Sequence, residues 1–440
     1  MQMKRTTLAS VMVPLTVLML ARGSVVKAES GEYLCYLPIV SRMNPWKEVG
    51  PGSASNGGIS GSPGASHWPA VAVAPDGTPY VTWEEYTSEA VEIYVKRWDG
   101  FAWAEVGSGS AGGGGISQVG GSYNPDIAVA PDGTPYITWY ANEGFGNIEI
   151  YVRRWDGNAW VAVGPGSASQ GGISDNPGLS RWPSIAIAPD STPYIAWEDE
   201  NGIYIRRWNG AVWEEVGAGS ASGGGIAGGD GSNVSLAIGP DGVPYAAWEG
   251  FDGYWQIYVR RWNGSTWEEV GAGSASGGGI SDNDTHSNYP EIAIGLDGTP
   301  YVVWMDAEGW PSEEYYIVIR RWDGTSWVEV GEGSSGWGGI SGTIGSSYYP
   351  SVIIAPDGTP YVTWDQWDEA AETVDIYVRR WDGSGWEEAG PGSGSAGGIS
   401  NTGHGYHSSI NVALDGTLYV VWSDNFPGGL VEIYIRSCCE

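Results

Sequence analysis

The hexapeptide Pro-Asp-Gly-Thr-Pro-Tyr, or a close variant of it, recurs seven times, with its Asp at 76, 132, 190, 241, 297, 357 and 415. The intervals run from 51 to 60 residues. Repetition at such a period means that each unit is one supersecondary structure burying its apolar face against its neighbours. It overrides the prior from length alone, which for 440 residues is about three domains.

One unit, residues 69–107, reads PAVAVAPDGTPYVTWEEYTSEAVEIYVKRWDGFAWAEVG. AVAVA alternates apolar with small residues and ends at Pro-Asp-Gly, which favours a type I turn. TPYVTW is rich in β-branched and aromatic residues, as strands are. After a variable segment comes EIYVKRW, and Asp-Gly then turns the chain into AWAEVG. These are strands A to D. Four short strands per unit and no helical period predict an all-β chain in which each unit is one propeller blade.

Counting the aromatic anchors predicts how the ring closes. The strand-D Trp occurs at 46, 103, 160, 213, 267, 327 and 386, whereas the strand-C Arg-Trp occurs six times, ending at Trp381. Trp46, in NPWKEVG (44–50), has no strand A, B or C before it, and the last unit, which ends IYIRSCCE (433–440), has no strand D. The N-terminal strand must therefore complete the seventh blade, leaving no open edge. The expected organisation is a signal peptide over 1–28, a linker over 29–43, a seven-bladed β-propeller over 44–436 and a Cys-containing tail over 437–440.

Arg-Trp-Asp at the end of strand C, with the N-terminus supplying strand D, resembles the WD-repeat propellers over residues 44–436. The chain lacks their Gly-His pair before strand A and has long Gly/Ser linkers. The repeats also resemble those of secreted bacterial propellers, including propeller lectins, and PDGTPYVTW is loosely similar to the Asp box of sialidases. The first two resemblances imply a recognition scaffold, the third a sugar hydrolase.

Length variation is confined to one loop class. The turn Asp and strand-B Trp are seven residues apart in every unit, and the strand-C and strand-D Trp five apart in every complete one, while the B–C segment varies from 7 to 14. In a propeller the B–C loops and the D–A linkers share one face, and variable loops on a rigid scaffold are where recognition resides. The B–C segments hold 22 Asp and Glu and no Lys or Arg. Of 26 Trp, 20 fill the repeat positions, and the other six fall in B–C or D–A segments. Aromatic faces stack on sugar C–H surfaces and carboxylates accept hydroxyl hydrogen bonds, so this face suits a glycan. The candidate ligand-binding residues are Trp68, Trp182, Tyr289, Tyr349, Trp255, Trp310, Trp337 and Trp367, with Glu85, Asp199, Asp306, Asp365 and Asp424. Trp68 and Trp182 precede Pro69 and Pro183 at the start of strand A, and Tyr289 and Tyr349 hold the same position in the fifth and sixth units.

Other chemistries fit less well. The arginine triad of a sialidase-like site is missing, since Arg181 is the one basic residue on this face. A glycosidase or lyase needs two carboxylates at working distance, and the sequence does not single out a pair. No cofactor is expected. Calcium is the nearest alternative, through the oxygen-rich stretches 282–285 and 198–201, but neither has the spaced acids and Gly of a calcium loop. His67, His404 and His407 lack the acid or thiolate partners of a zinc site.

Lys4 and Arg5 precede an apolar run from Leu8 to Ala21, and Val26-Lys27-Ala28 offers a cleavage site, so export to a secreted or cell-surface location is expected. No other segment is apolar and long enough to anchor the chain in a membrane. Cleavage after residue 28 removes four basic residues and no acidic one, taking the net charge from −32 to −36. Such a surface repels nucleic acid. The expected partner of this monomer is a glycan or other polymer, with a basic protein as the alternative. Three cysteines in an exported chain permit one disulfide. Cys35 with Cys438 or Cys439 is the expected pair, latching the ring where its ends meet.

Overall fold

The computed structural model describes residues 46–439, apart from 119, 143–145, 170, 177, 308, 310–313, 343–344, 396 and 426–428. The repeats fold into seven sheets, each of four antiparallel strands. Blade 1 is Ala65–Val73, Pro79–Tyr86, Val91–Trp98 and Trp103–Glu105, and blades 2 to 6 repeat it. Blade 7 comprises Gly405–Val412, Leu418–Asp424 and Glu432–Cys438, and its fourth strand is Lys47–Glu48 from the other end of the chain. Lys47 pairs with Ser437 and Glu48 with Arg436, which is the closure that the Trp count requires. No helix among the described residues is long and apolar enough to cross a membrane.

The fixed spacings reflect ties between blades. The strand-B Trp residues and the strand-C Ile residues are fully buried between neighbouring sheets. Six of the seven strand-D indole N–H groups donate to a carbonyl one blade back, as in Trp103 to Val49 O and Trp160 to Val106 O, both 2.8 Å. The linker Ile anchors each crossover by donating its N–H to a strand-C carbonyl, as in Ile116 to Ile93 O and Ile59 to Ile433 O. In five of the six Lys/Arg pairs the first basic residue also reaches a linker, as in Lys96 to Ile59 O at 2.7 Å and Arg206 to Ile173 O at 2.6 Å. Strand-C Trp rings lie on the Gly that ends the preceding strand D. At Gly107, whose φ is +87°, a Cβ would stand 2.5 Å from the Trp155 ring, so only Gly fits.

The seam explains the cysteines. Strand C of blade 7 runs two residues beyond its expected end at 436, and register places Cys438 where the other blades carry the strand-C Trp. Its sulfur packs against Gly390, and both cysteine sulfurs lie on the Ala389 carbonyl, at 3.4 and 2.9 Å. Ala389 O is the atom that Trp46 would reach by analogy with the other blades, and the Trp46 indole N–H finds no acceptor among the described residues. The sulfurs of Cys438 and Cys439 lie side by side. Adjacency in sequence holds their Cα atoms 3.8 Å apart, and Cys439 adopts φ +67°. Cys35 lies outside the described residues.

Candidate functional site at the mouth of the channel

The seven A strands line a central channel, and each begins with the same irregularity. Register shifts at a bulge in every blade, as between His67 and Ala70 or between Asn288 and Glu291. The bulge residue takes a left-handed conformation in all seven blades. In chain order these residues are Trp68, Asn124, Trp182, Asn233, Tyr289, Tyr349 and His407, with φ from +46° to +55°. In five blades the next residue is Pro, which contributes no N–H to the interrupted ladder.

Left-handed backbone disfavours side chains other than Gly, Asn and Asp by roughly 1–2 kcal/mol per residue. Asn124 and Asn233 obey that preference and the other five do not. Every aromatic or imidazole residue with positive φ among the described residues stands at this one position. Their side chains converge on a mouth of about 360 Å³. Trp68 stacks on His407 with centroids 3.5 Å apart and planes 15° apart. Tyr349 meets His407 and Tyr289 edge to face, both at 4.8 Å, and Trp68 at 5.7 Å. Across the mouth the Arg181 guanidinium lies over the Trp182 ring, 5.4 Å from its centroid. Trp182 and Tyr289 keep 36% and 38% of their surface exposed.

In four blades an acid after the strand-B Trp holds the bulge of the next blade. Glu84 accepts the Asn124 N–H at 2.9 Å, Glu249 the Tyr289 N–H at 3.0 Å, and Asp365 the His407 N–H at 2.7 Å. Burial pushes the Glu84 and Glu198 carboxyls up to about 7 and that of Asp365 up to about 8, against the lowering effect of these bonds. Burial, with His67 nearby, holds His407 down at about 3, so its imidazole is neutral.

Beneath the mouth runs a second ring, two residues further along each A strand. Its side chains accept the N–H of the next blade: Asp126 that of Ile185 at 2.8 Å, Ser184 that of Leu236 at 3.1 Å, Ser235 that of Ile292 at 3.1 Å, Ser351 that of Ile410 at 3.3 Å and Ser409 that of Val71 at 3.4 Å. Glu291 takes the Ser351 hydroxyl at 3.2 Å and a bond from Val352 N–H. Blade 1 breaks the pattern with Ala70, and Asp126 covers the gap by accepting its own neighbour's N–H, that of Ile127, at 2.8 Å. Burial raises Asp126 to about 6 and Glu291 to about 8, each with its protein hydrogen bonds opposing.

The sequence-predicted residues divide between mouth and scaffold. Trp68, Trp182, Tyr289 and Tyr349 come together at the mouth. Trp255 lies in blade 4 against Phe251, Trp337 is exposed on a linker, and Trp367 continues strand B of blade 6 opposite Val374. Trp310 lies outside the described residues. The five acids are buried within the blades. Glu85 accepts from Ser62, from Ser66 at 2.6 Å and from the Trp83 indole at 3.1 Å. Asp199 accepts from Asn176 and Ser180, Asp306 from Asn283 and Ser287, and Asp424 from Thr402 and Trp422. Burial raises Asp306 and Asp424 above the usual carboxylate range. His407, Asn124, Asn233 and the channel acids Asp126 and Glu291 were not among the predicted site residues. The X-Pro step at the head of strand A marks their ring, and blade-by-blade alignment on it finds them. No group of three or more metal-binding side chains occurs among the described residues.

No protein-family model matches the chain, and no curated protein matches it in sequence. Solved structures do resemble it. A polysaccharide lyase of family PL25, an ulvan lyase, has a TM-score of 0.53 at 9% identity over 84% of this chain and 93% of its own. The same kind of lyase bound to -[GlcA(1-4)Rha3S]- has a TM-score of 0.52 at 10% identity, covering 89% and 94%. The β-propeller domain of the Trilobed protease from Pyrococcus furiosus has a TM-score of 0.48 at 11% identity, covering 84% and 95%. At these identities the likeness is one of fold.

Proposed function

We propose that this chain is an exported, monomeric glycan-binding propeller that holds its ligand at the channel mouth without a cofactor. One observation carries the reading: five left-handed positions that favour Gly or Asn are filled by Trp, Trp, Tyr, Tyr and His, all directed at one opening. Strain retained where a cheaper residue exists points to a role for the side chain. Rings stacked and edge-on, with Asn124 and Asn233 between them, offer apolar faces and amide groups to a sugar. The ulvan-lyase structures support a propeller's capacity to hold a polysaccharide. Asp126 and Glu291 are engaged in the ring of inter-blade hydrogen bonds, which favours binding over hydrolysis. A glycan array at neutral pH, with and without calcium, tests the proposal. Binding of neutral glycans in both conditions is expected, and an empty array is the contrary result. Release of reducing ends from a polysaccharide panel would identify an enzyme instead, and salt-sensitive capture of basic proteins a protein scaffold.

A further inference from the structure

Blade 4 departs from its neighbours at one cross-strand pair. In blades 1, 5 and 6 the residue two beyond the strand-B Trp is tied across the ladder to a Ser of strand A, as Ser66–Glu85, Ser287–Asp306 and Ser347–Gln366. These pairs fill the space between the blade and its incoming linker. In blade 4 both side chains are missing, and Gly231 faces Gly250. The Gly250 backbone has no positive φ that would require glycine. A cavity of about 340 Å³ opens there, away from the channel, lined by Trp248, Phe251, Asp252, Tyr258 and Asp230 among others. Neither Lys nor Arg lines it. In blades 1, 6 and 7 the strand-B indole N–H donates to the side chain two residues on, as in Trp83 to Glu85; in blades 2, 3 and 5 it is buried without a partner among the described residues, and in blade 4 the equally unbonded Trp248 lines the cavity.

The rim is also unusual. Phe251 and Tyr254 are 54% and 41% exposed, and each is held by a second ring: Phe251 by Trp255 at 5.4 Å, Tyr254 by His286 at 5.5 Å. Exposed aromatic clusters beside a cavity mark binding sites more often than surface decoration. An aromatic wall, a free indole N–H, a carboxylate and the absence of a cation together match the faces and hydroxyls of an uncharged sugar.

We propose that blade 4 carries a second glycan site, separate from the channel mouth, which seats one neutral pyranose in the cavity beside Gly250, between Trp248, Phe251 and Tyr258. The proposal rests on the glycan reading of the mouth, and the test separates the two. Dissociation constants for D-glucose, D-galactose, D-mannose and L-rhamnose are measured by ligand-observed NMR on the full chain and on three variants. Phe251→Ala removes a half-exposed ring and leaves the core intact. Gly250→Asp restores the carboxylate found in other blades, its Cβ displacing the Tyr258 ring edge now 2.9 Å from that position. Tyr289→Asn alters the mouth alone. The expected result is that at least one monosaccharide binds, at least about fivefold more weakly to Phe251→Ala and Gly250→Asp, the value of one aromatic contact, and unchanged to Tyr289→Asn. Binding unaffected by both blade-4 variants overturns the second site and leaves the mouth reading standing. Binding lost in blade 4 alone, with every longer glycan indifferent to Tyr289→Asn, upholds this site and overturns the mouth. No monosaccharide binding by the wild-type chain overturns the second site and leaves the mouth to be decided by the array.

Discussion

Asp126→Ala removes the acceptor of two backbone N–H groups at once, those of Ile127 and Ile185, each 2.8 Å from a carboxylate oxygen. A buried N–H left without a partner costs about 1–3 kcal/mol, and the channel admits water, so the low end applies and about 2–3 kcal/mol is expected in total. Ser184→Ala removes a single such bond, to Leu236, and should cost about 1 kcal/mol. The informative partner is Ala70→Ser. In the wild type its hydroxyl would face an Ile127 N–H already served by Asp126, so alone it should change stability by less than about 0.5 kcal/mol. In the Asp126→Ala background the new hydroxyl stands where Ser409 stands relative to Val71, and it should return about 1 kcal/mol through Ile127. Equilibrium urea unfolding followed by Trp fluorescence measures all four proteins, with an unchanged slope as the sign that only stability moved. If the double variant is simply additive, the ring of inter-blade hydrogen bonds does not work as described.

Three further outcomes follow from the same geometry. Val49→Ala, at the closing strand, and Val106→Ala, its counterpart in blade 1, both delete buried methyls and should each cost about 2 kcal/mol by urea unfolding; a silent Val49→Ala would mean that the ring is not closed in solution. Glu84, Glu198, Glu291 and Asp365 hold protons in the fold up to about pH 7–8 but lose them near pH 4 when unfolded, so the folded state binds more protons and stability falls as pH rises toward 8. The melting temperature should therefore rise on acidifying from pH 8 to 6.5, less so in Asp365→Asn. Below 6.5 the neutral His407 opposes the trend, since protonation then favours the unfolded chain. A flat profile above 6.5 would contradict the burial of these acids. Non-reducing peptide mapping distinguishes the two pairings: Cys438 and Cys439 joined within one peptide is expected from their adjacent sulfurs, whereas a fragment linked to Cys35 would bear out the sequence-based latch.

The blade count, strand order and closure were legible because they rest on residues that repeat: seven strand-D Trp against six strand-C Trp leave one arrangement. The loop acids were misplaced because a charge after the strand-B Trp reads as surface. Strand B in fact continues past that Trp, to Tyr86 in blade 1, so Glu84 and Glu85 sit in the ladder opposite Ile93 and Glu92. Register sets Arg206 against Glu215 and Arg260 against Glu269, yet the close ion pairs are their neighbours, Arg207–Glu214, Arg261–Glu268 and Arg380–Glu387. The mouth was found through its Trp and Tyr, but its left-handed backbone was not, because a bulge at X-Pro leaves no composition signal when X is aromatic. Asp126 and Glu291 escaped notice for the opposite reason, standing where most blades carry Ser.

The strained aromatic ring at the mouth is proposed to hold a glycan. Tyr289→Asn places at that position the residue that blades 2 and 4 already carry, so the backbone is preserved while one ring is lost. Isothermal titration of the wild type and this variant with a neutral oligosaccharide selected on the array is the direct measurement. The expected result is a folded variant whose affinity falls at least about tenfold, equivalent to about 1.4 kcal/mol. Equal affinity in the two proteins would contradict it.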